Sequence, residues 1–378
     1  MQKVDILIFI IVTVLMIIGA VFSYSLPTFL EMRDNLSQFH FVIRYVGISI
    51  VGFGIMIFLS RLDPDKWFNK IGWGIFIISS LLLFAMPFLP HFLAPTINGA
   101  RRWINFGILK LAPVEFFKIG FIFFLSFSFT RKLGNKTLKE ELIQLSYYFI
   151  FFSIFWFLII AFQSDLGQVV VMFFILVLML IVAGGRAQTF GVLSIVGLFI
   201  VIGAVLSKPY RLDRIKNWID RVNEIFFPNP DIHNALANSG QIKESLNAIY
   251  HGGILGTGIG NGIFKLGFLS DVHTDFVLAG IAEESGILGI FLVILLMGAL
   301  IYRIFKISFR NEKKEYQFFA FGIGTMIAIQ FLLNGLGVTS VIPLKGLTVP
   351  FLSYGGSSLL ALCVGIGMVL MISKKAKL

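Results

Sequence analysis

Ten runs of about twenty predominantly apolar residues restrict this chain more than any motif in it. They fall at 6–24, 41–60, 72–89, 114–130, 144–162, 167–184, 188–206, 276–302, 316–337 and 355–373. Each is long enough to cross roughly 30 Å of hydrocarbon. A bilayer offers backbone groups no water, so every run has to satisfy its own hydrogen bonds, and the run lengths and periods fit helices, not barrel strands. Of the 378 residues, 57% are apolar and 13% charged, which excludes an ordinary soluble globular domain. The expected fold is an all-α integral membrane protein of about ten transmembrane helices, a single polytopic domain over 1–378. Residues 6–23 follow Lys3 without a small-x-small cleavage site, so the first run reads as a retained span.

Lys and Arg concentrate before the first run and after every even-numbered one: Lys3, then 61–70, 131–139, Arg186, 303–314 and 374–377. The short loops on the other side hold Arg33, Arg101, Arg102, Lys110 and Lys345. The positive-inside rule therefore places both termini in the cytoplasm. With the basic residues distributed in this way, a net charge of +11 gives no reason to invoke a nucleic acid. Cys363 is the one cysteine, which rules out an intramolecular disulfide. The large extracytoplasmic loop at 207–275 contains Leu212, Ile215, Trp218, Ile219, Val222, Ile225 and Phe226 at helical spacing, interleaved with Arg211, Arg214, Lys216 and Arg221. That pattern predicts an amphipathic interfacial helix, either a lid on the bundle or a lipid-headgroup contact. The 43 phenylalanines read as lipid-facing bulk, and no inverted repeat of the transporter kind is evident.

Four outer segments carry the polar residues that bear on chemistry. The first is Asn98-Gly99-Ala100-Arg101-Arg102-Trp103, followed by Pro113, Glu115 and Lys118. Glu115 and Lys118 stand three apart and share a helix face. Charges at membrane depth are costly and face a cavity or a partner, so the pair is either functional or a salt bridge between helices. The second, Gln163-Ser164-Asp165-Leu166-Gly167-Gln168, is a tight turn in which Asp165 suits a helix cap. The third runs from Gln241 through a glycine-rich stretch to His273-Thr274-Asp275-Phe276 and Glu283-Glu284. Its glycines lack the strand and spacing of a dinucleotide site, and the alternation of Asp271, His273 and Asp275 lacks a further obvious metal ligand. The fourth comprises Asn334, Pro343-Leu344-Lys345-Gly346 and Pro350-Phe351-Leu352-Ser353-Tyr354-Gly355-Gly356-Ser357-Ser358. Such helix-breaking backbone is tolerated at membrane depth only beside protein or a wet cavity.

Together these segments resemble the SEDS family of shape, elongation, division and sporulation proteins, with the match running in order over nearly the whole chain. Ala100-Arg101-Arg102-Trp103, His273-Thr274-Asp275-Phe276 and Ser353-Tyr354-Gly355-Gly356-Ser357-Ser358 carry it most specifically. The chain departs from the family pattern at Ala112-Pro113-Val114-Glu115, Ser164-Asp165-Leu166-Gly167 and Leu269-Ser270-Asp271-Val272-His273, and keeps the charged residues at all three. The resemblance implies a peptidoglycan glycosyltransferase in the bacterial cytoplasmic membrane, polymerising lipid II by a single inverting displacement. It implies Asp275 as general base and Arg101, Arg102, Trp103, Glu115, Lys118, Lys345 and Ser353 as substrate-binding residues. Asp165, Gln241, His273, Glu283 and Glu284 would support them. No cofactor is implied with certainty, and a divalent cation stays open. The implied partners are a class B penicillin-binding transpeptidase and other divisome membrane proteins. Arg101-Arg102-Trp103 and Lys345-Gly346-Leu347 favour the cell-division member acting at the septum over the elongation member. A lipid II flippase is the competing reading, although its midplane site fits poorly with candidate groups gathered at one face; a scaffold that recruits a transpeptidase is a third.

Overall fold

The computed structural model describes residues 4–97, 99–107, 110–132, 138–226, 240–343 and 346–376. The described helices are α1 (Ile6–Ser25), α2 (Thr28–Arg33), α3 (His40–Arg61), α4 (Pro64–Ala85), α5 (Pro113–Lys132), α6 (Leu138–Ala161), α7 (Leu166–Val182), α8 (Ala187–Leu206), α9 (Pro209–Phe226), α10 (Gly240–Gly252), α11 (Val277–Phe309), α12 (Lys314–Val338) and α13 (Gly356–Ser373). A two-stranded antiparallel hairpin, Ile104–Asn105 with Lys110–Leu111, precedes α5. Seven helices, α1, α3, α4, α5, α11, α12 and α13, are long and apolar enough to cross a membrane. Three shorter apolar stretches, Ser146–Ala161, Leu166–Val182 and Gly191–Leu206, occupy the remaining predicted runs. The chain is thus an all-α, multi-span membrane protein.

Both ends of the described chain lie at one end of the bundle. Asp5 accepts the Leu7 N–H to cap α1 and pairs with Arg303 near the far end of α11 at 2.6 Å. Asn311 bridges to Ala376, and Asp65 at the start of α4 takes both Lys313 and Lys375. This is the end at which the basic residues concentrate, and the one that the positive-inside rule assigns to the cytoplasm.

Helices α5, α12 and α13 form the buried centre, with α1, α3, α4 and α11 around them and mostly lipid-exposed. The expectation of lipid-facing bulk holds for some phenylalanines, such as Phe58, Phe84, Phe157, Phe199 and Phe291, which are exposed, and not for others. Phe68, Phe117, Phe121, Phe123, Phe129, Phe152 and Phe319 are fully buried. Phe121 and Phe152 meet edge to face, with centroids 4.5 Å apart. Lipid tails are as apolar as side chains, so helix association rests on packing, and interlocking aromatic edges supply it.

Helix α11, 33 residues long, spans about 50 Å at 1.5 Å per residue and breaks at Gly286, where φ is 68°. The glycine-rich chain after α10 packs directly on that break. Ile287 and Leu288 donate their N–H groups to Gly253 and Ile254, and the Gly258 N–H donates to the Glu284 carbonyl. A Cβ on Gly256, itself at φ 81°, would lie 2.3 Å from the Glu284 carbonyl oxygen. Gly256→Ala is therefore expected to cost at least about 1–2 kcal/mol from the left-handed backbone alone. Thermal unfolding of the detergent-solubilised protein should show a lowered midpoint, and an unchanged one would contradict this packing.

Candidate active site

At the end of the bundle opposite the termini, the four polar segments converge around α12. Asn334, buried on α12, is the link between two of them. Its Nδ2 donates to the Asp275 carbonyl at 2.7 Å and to the Leu347 carbonyl at 2.6 Å. Ser353 Oγ donates to the Thr274 carbonyl at 2.6 Å and accepts the Val349 N–H at 2.8 Å, and the Tyr354 N–H donates to the His273 carbonyl. Asp275, Phe276, Asn334, Gly337, Gly346 and Leu347 thereby enclose a cleft of about 10 Å³, room for about one water. Asp275 itself is half-buried. The N-cap of α11 falls on Phe276 and has no side-chain capping bond.

Leu347 also touches Gly167, which brings the second segment beside this cleft. Asp165 caps α7 by accepting the Gln168 N–H at 3.3 Å, as its place in the turn predicts. Burial pushes its carboxyl above the usual carboxylate range, against the opposing pull of Arg102. Gln168 donates from Nε2 to Glu115 Oε1 at 2.9 Å, and Glu115 Oε2 lies 2.8 Å from Lys118 Nζ. Lys118 is 1% exposed. Lys118 Nζ, Gln168 Oε1 and Gln163 Oε1 are buried without hydrogen-bond partners among the described residues. Buried polar atoms without hydrogen-bond partners are uncommon in folded interiors, and Lys118 keeps its charge partner in Glu115.

The two arginines sit nearby, Arg101 turned toward its own loop and Arg102 toward the turn between α6 and α7. Arg101 donates to the Pro87 and Leu89 carbonyls and to Thr96; Arg102 donates to the Gln163 carbonyl at 2.9 Å and the Ser164 carbonyl at 3.3 Å. Both are half-buried, as is Trp103. Lys345 lies outside the described residues. Gln241 reaches Ser270 and Asp271 on the loop that carries His273.

Glu283 and Glu284 do not face the cleft. Glu283 Oε1 accepts the Ile263 and Phe264 N–H groups and meets His251 at 3.3 Å. Glu284 accepts from Ser25 and from the Gly260 N–H, and pairs with Lys265 at 2.7 Å. Their work is to fasten the glycine-rich chain. Among the described residues no three His, Cys, Asp or Glu side chains gather as a metal site. Sequence reasoning left Lys265, Ser25 and Ser357 unassigned. Ser357 Oγ accepts the Ala112 N–H and donates to the Lys110 carbonyl.

This architecture defines a polytopic helical membrane protein whose outer end holds an acid-bearing cleft beside a buried charged pair. The model of the FtsW/RodA/SpoVE family, described as cell cycle proteins, matches residues 5–378. The chain belongs to that family. It is 41% identical over 97% of both chains to the probable peptidoglycan glycosyltransferase FtsW of Helicobacter pylori (strain ATCC 700392 / 26695). It is 33% identical to stage V sporulation protein E of Bacillus subtilis (strain 168), over 99% of this chain and 98% of the relative. Two solved structures share the fold, each at 23% identity and covering 99% of this chain and 98% of theirs. One, described as "Structural coordination of polymerization and crosslinking by a peptidoglycan synthase complex", matches with a TM-score of 0.72. The other, the Thermus thermophilus rod shape determining protein RodA, matches with a TM-score of 0.65.

His273 supplies a pH test of the cleft's surroundings. Its ring packs on Phe41 and Tyr354, and burial pushes its pKa down to about 4. Between pH 6.5 and 4 the unfolded chain binds a proton at His273 that the folded chain excludes, so stability is expected to fall with pH through that window. Replacing His273 with Gln should flatten this part of the profile of melting temperature against pH. Parallel profiles for the two proteins would refute the burial argument.

Proposed function

We propose that this chain is a peptidoglycan glycosyltransferase of the cytoplasmic membrane that joins lipid II units into glycan strands during cell division. The observation that supports this most is the cleft in which Asp275, Asn334 and the 346–353 segment meet, in a chain so similar to relatives named for that activity. Asp275 is the proposed general base. It takes the proton of the acceptor sugar's 4-hydroxyl as that oxygen attacks the donor's anomeric carbon, and the bond to the lipid diphosphate breaks with its electrons leaving on the diphosphate. A carboxylate suits this step because it is ionised at neutral pH and needs only to come within about 2.6–3.2 Å of the hydroxyl.

Arg102 and Lys345 are the proposed contacts to the departing diphosphate. Arg102 keeps Nη1 beyond its two carbonyl bonds. Arg101 and Ser353 hold the loops in place, Trp103 offers an apolar face to the substrate, and Glu115 holds Lys118 beneath the site as a fixed positive charge. Asp165, Gln241, His273, Glu283 and Glu284 are positioning residues. The proposed partners are a class B penicillin-binding transpeptidase and other divisome membrane proteins, and the proposed location is the septum.

Asp275→Asn in purified protein supplied with lipid II is expected to lose at least about 10²-fold in polymerisation rate while keeping its melting temperature. Glycan strands resolved on a gel report the rate, and an active, well-folded Asp275→Asn protein would overturn the assignment. Depletion in the cell is expected to give undivided filaments; rounded cells would assign the chain to elongation instead.

A further inference from the structure

A second cavity, larger than the cleft and separate from it, opens between α6, α8 and the start of α9. Its volume is about 460 Å³, and its walls include Ser153, Trp156, Ile160, Ile200, Lys208 and Arg211. At about 30 Å³ per water-sized group it accepts on the order of fifteen chain carbons. The walls are apolar along most of their length and cationic at one end. That end is the outer one: Ser207 and Lys208 follow α8, and Arg211 on α9 donates from Nη1 to the Ala204 carbonyl at 2.6 Å. Trp218 Nε1, about two turns further along α9, donates to the Ser340 carbonyl just past α12, which places α9 at the level of the proposed active-site loops.

Trp156 adds an independent observation. It is 2% exposed, and its Nε1–H has no hydrogen-bond partner among the described residues. A buried indole N–H ordinarily finds an acceptor. On α6, Trp156 lies five residues before Ala161, about 7–8 Å deeper than the mouth of the groove at 1.5 Å per residue. Trp156 lines the groove below the two cations, where an acceptor on a bound molecule would complete its indole.

We infer that this groove binds one anionic glycerophospholipid of the outer leaflet. Its phosphate meets Lys208 and Arg211, one acyl chain fills the channel between α6 and α8, and the ester carbonyl of that chain accepts the Trp156 N–H. The ester carbonyl decides between lipid classes. A glycerophospholipid carries an oxygen acceptor a few ångströms below its phosphate, whereas a polyprenyl diphosphate carries only hydrocarbon there. A lipid seated in this way wedges α9 against α8 and braces the connection from Trp218 to the end of α12.

Native mass spectrometry of the full-length protein in detergent tests the inference. The probes are dioleoylphosphatidylglycerol, dioleoylphosphatidylcholine and undecaprenyl diphosphate. The unsubstituted protein is expected to retain phosphatidylglycerol in preference to phosphatidylcholine, which has the same chains and no net charge. Lys208→Glu should weaken phosphatidylglycerol about tenfold or more, the scale of one lost charge-assisted contact. Trp156→Phe, which still fills the groove, should weaken both glycerophospholipids about two- to tenfold. Lys216→Glu, an equal charge change on an exposed position of the same helix, should leave retention unchanged. Equal retention of the two glycerophospholipids, insensitivity to both groove substitutions, or weakening confined to undecaprenyl diphosphate would each overturn the inference.

Discussion

The outer half of this molecule depends on two adjacent buried carboxylates. Glu283 and Glu284 lie on α11 just before its break at Gly286, and between them accept hydrogen bonds from the N–H groups of Gly260, Ile263 and Phe264 and from Ser25 and Lys265. The chain from 253 to 268 has no helix to satisfy its backbone where it packs on α11. Irregular backbone in such a place survives only if protein supplies the partners. The carboxylates supply them, and Lys265 balances the charge of Glu284. Removing one member of such a pair leaves the other buried and uncompensated, at a cost of about 3–5 kcal/mol. The arrangement holds the loop that leads into His273 and Asp275, so the proposed active site inherits its position from residues that never face it.

The second constraint is the bridge at Asn334. One side-chain amide holds two carbonyls, of Asp275 and Leu347, that belong to segments about seventy residues apart. Ser353 repeats the device one step further along, tying the Val349 N–H to the Thr274 carbonyl. Both ties act on backbone, so they fix where the chain around Asp275 stands. The neighbouring Glu115, Lys118 and Gln168 follow the opposite logic, with side chains engaging one another and polar atoms left over.

What was legible in the sequence follows the same division. The spans were legible because hydrocarbon imposes one rule on every run, and the three shorter helices still filled their predicted places. The pairing of Glu115 with Lys118 and the capping by Asp165 were legible because each is local, three residues from its partner. Asn334 with Leu347, Ser25 with Glu284, and Tyr45 with the Phe351 carbonyl were not, since partners 13, 259 and 306 residues apart leave no periodic trace. The phenylalanines were legible only in part, for a related reason. Composition counts them, but only the bundle decides which face lipid and which fill the interface of α4, α5 and α6.

The size of the cleft bears on how such a site is used. Sites for small organic molecules run to about 300–1,000 Å³, while the space beside Asp275 holds about one water. In the proposed reading, a sugar enters this particular space only with its walls parted. Those walls are the 270–276 turns and the segment from Gly346, and the bonds that hold them together run through Asn334 and Ser353. Each neutral hydrogen bond contributes only about 0.5–1.5 kcal/mol net, so giving up two or three of them is within reach of the binding energy of a large lipid-linked substrate. The carboxylates under the loop are a different case, being ionic, buried and several-fold bonded. Glu283 and Glu284 thus form the firmly bonded part of this end of the bundle, and the proposed base Asp275 lies on the part held by neutral hydrogen bonds.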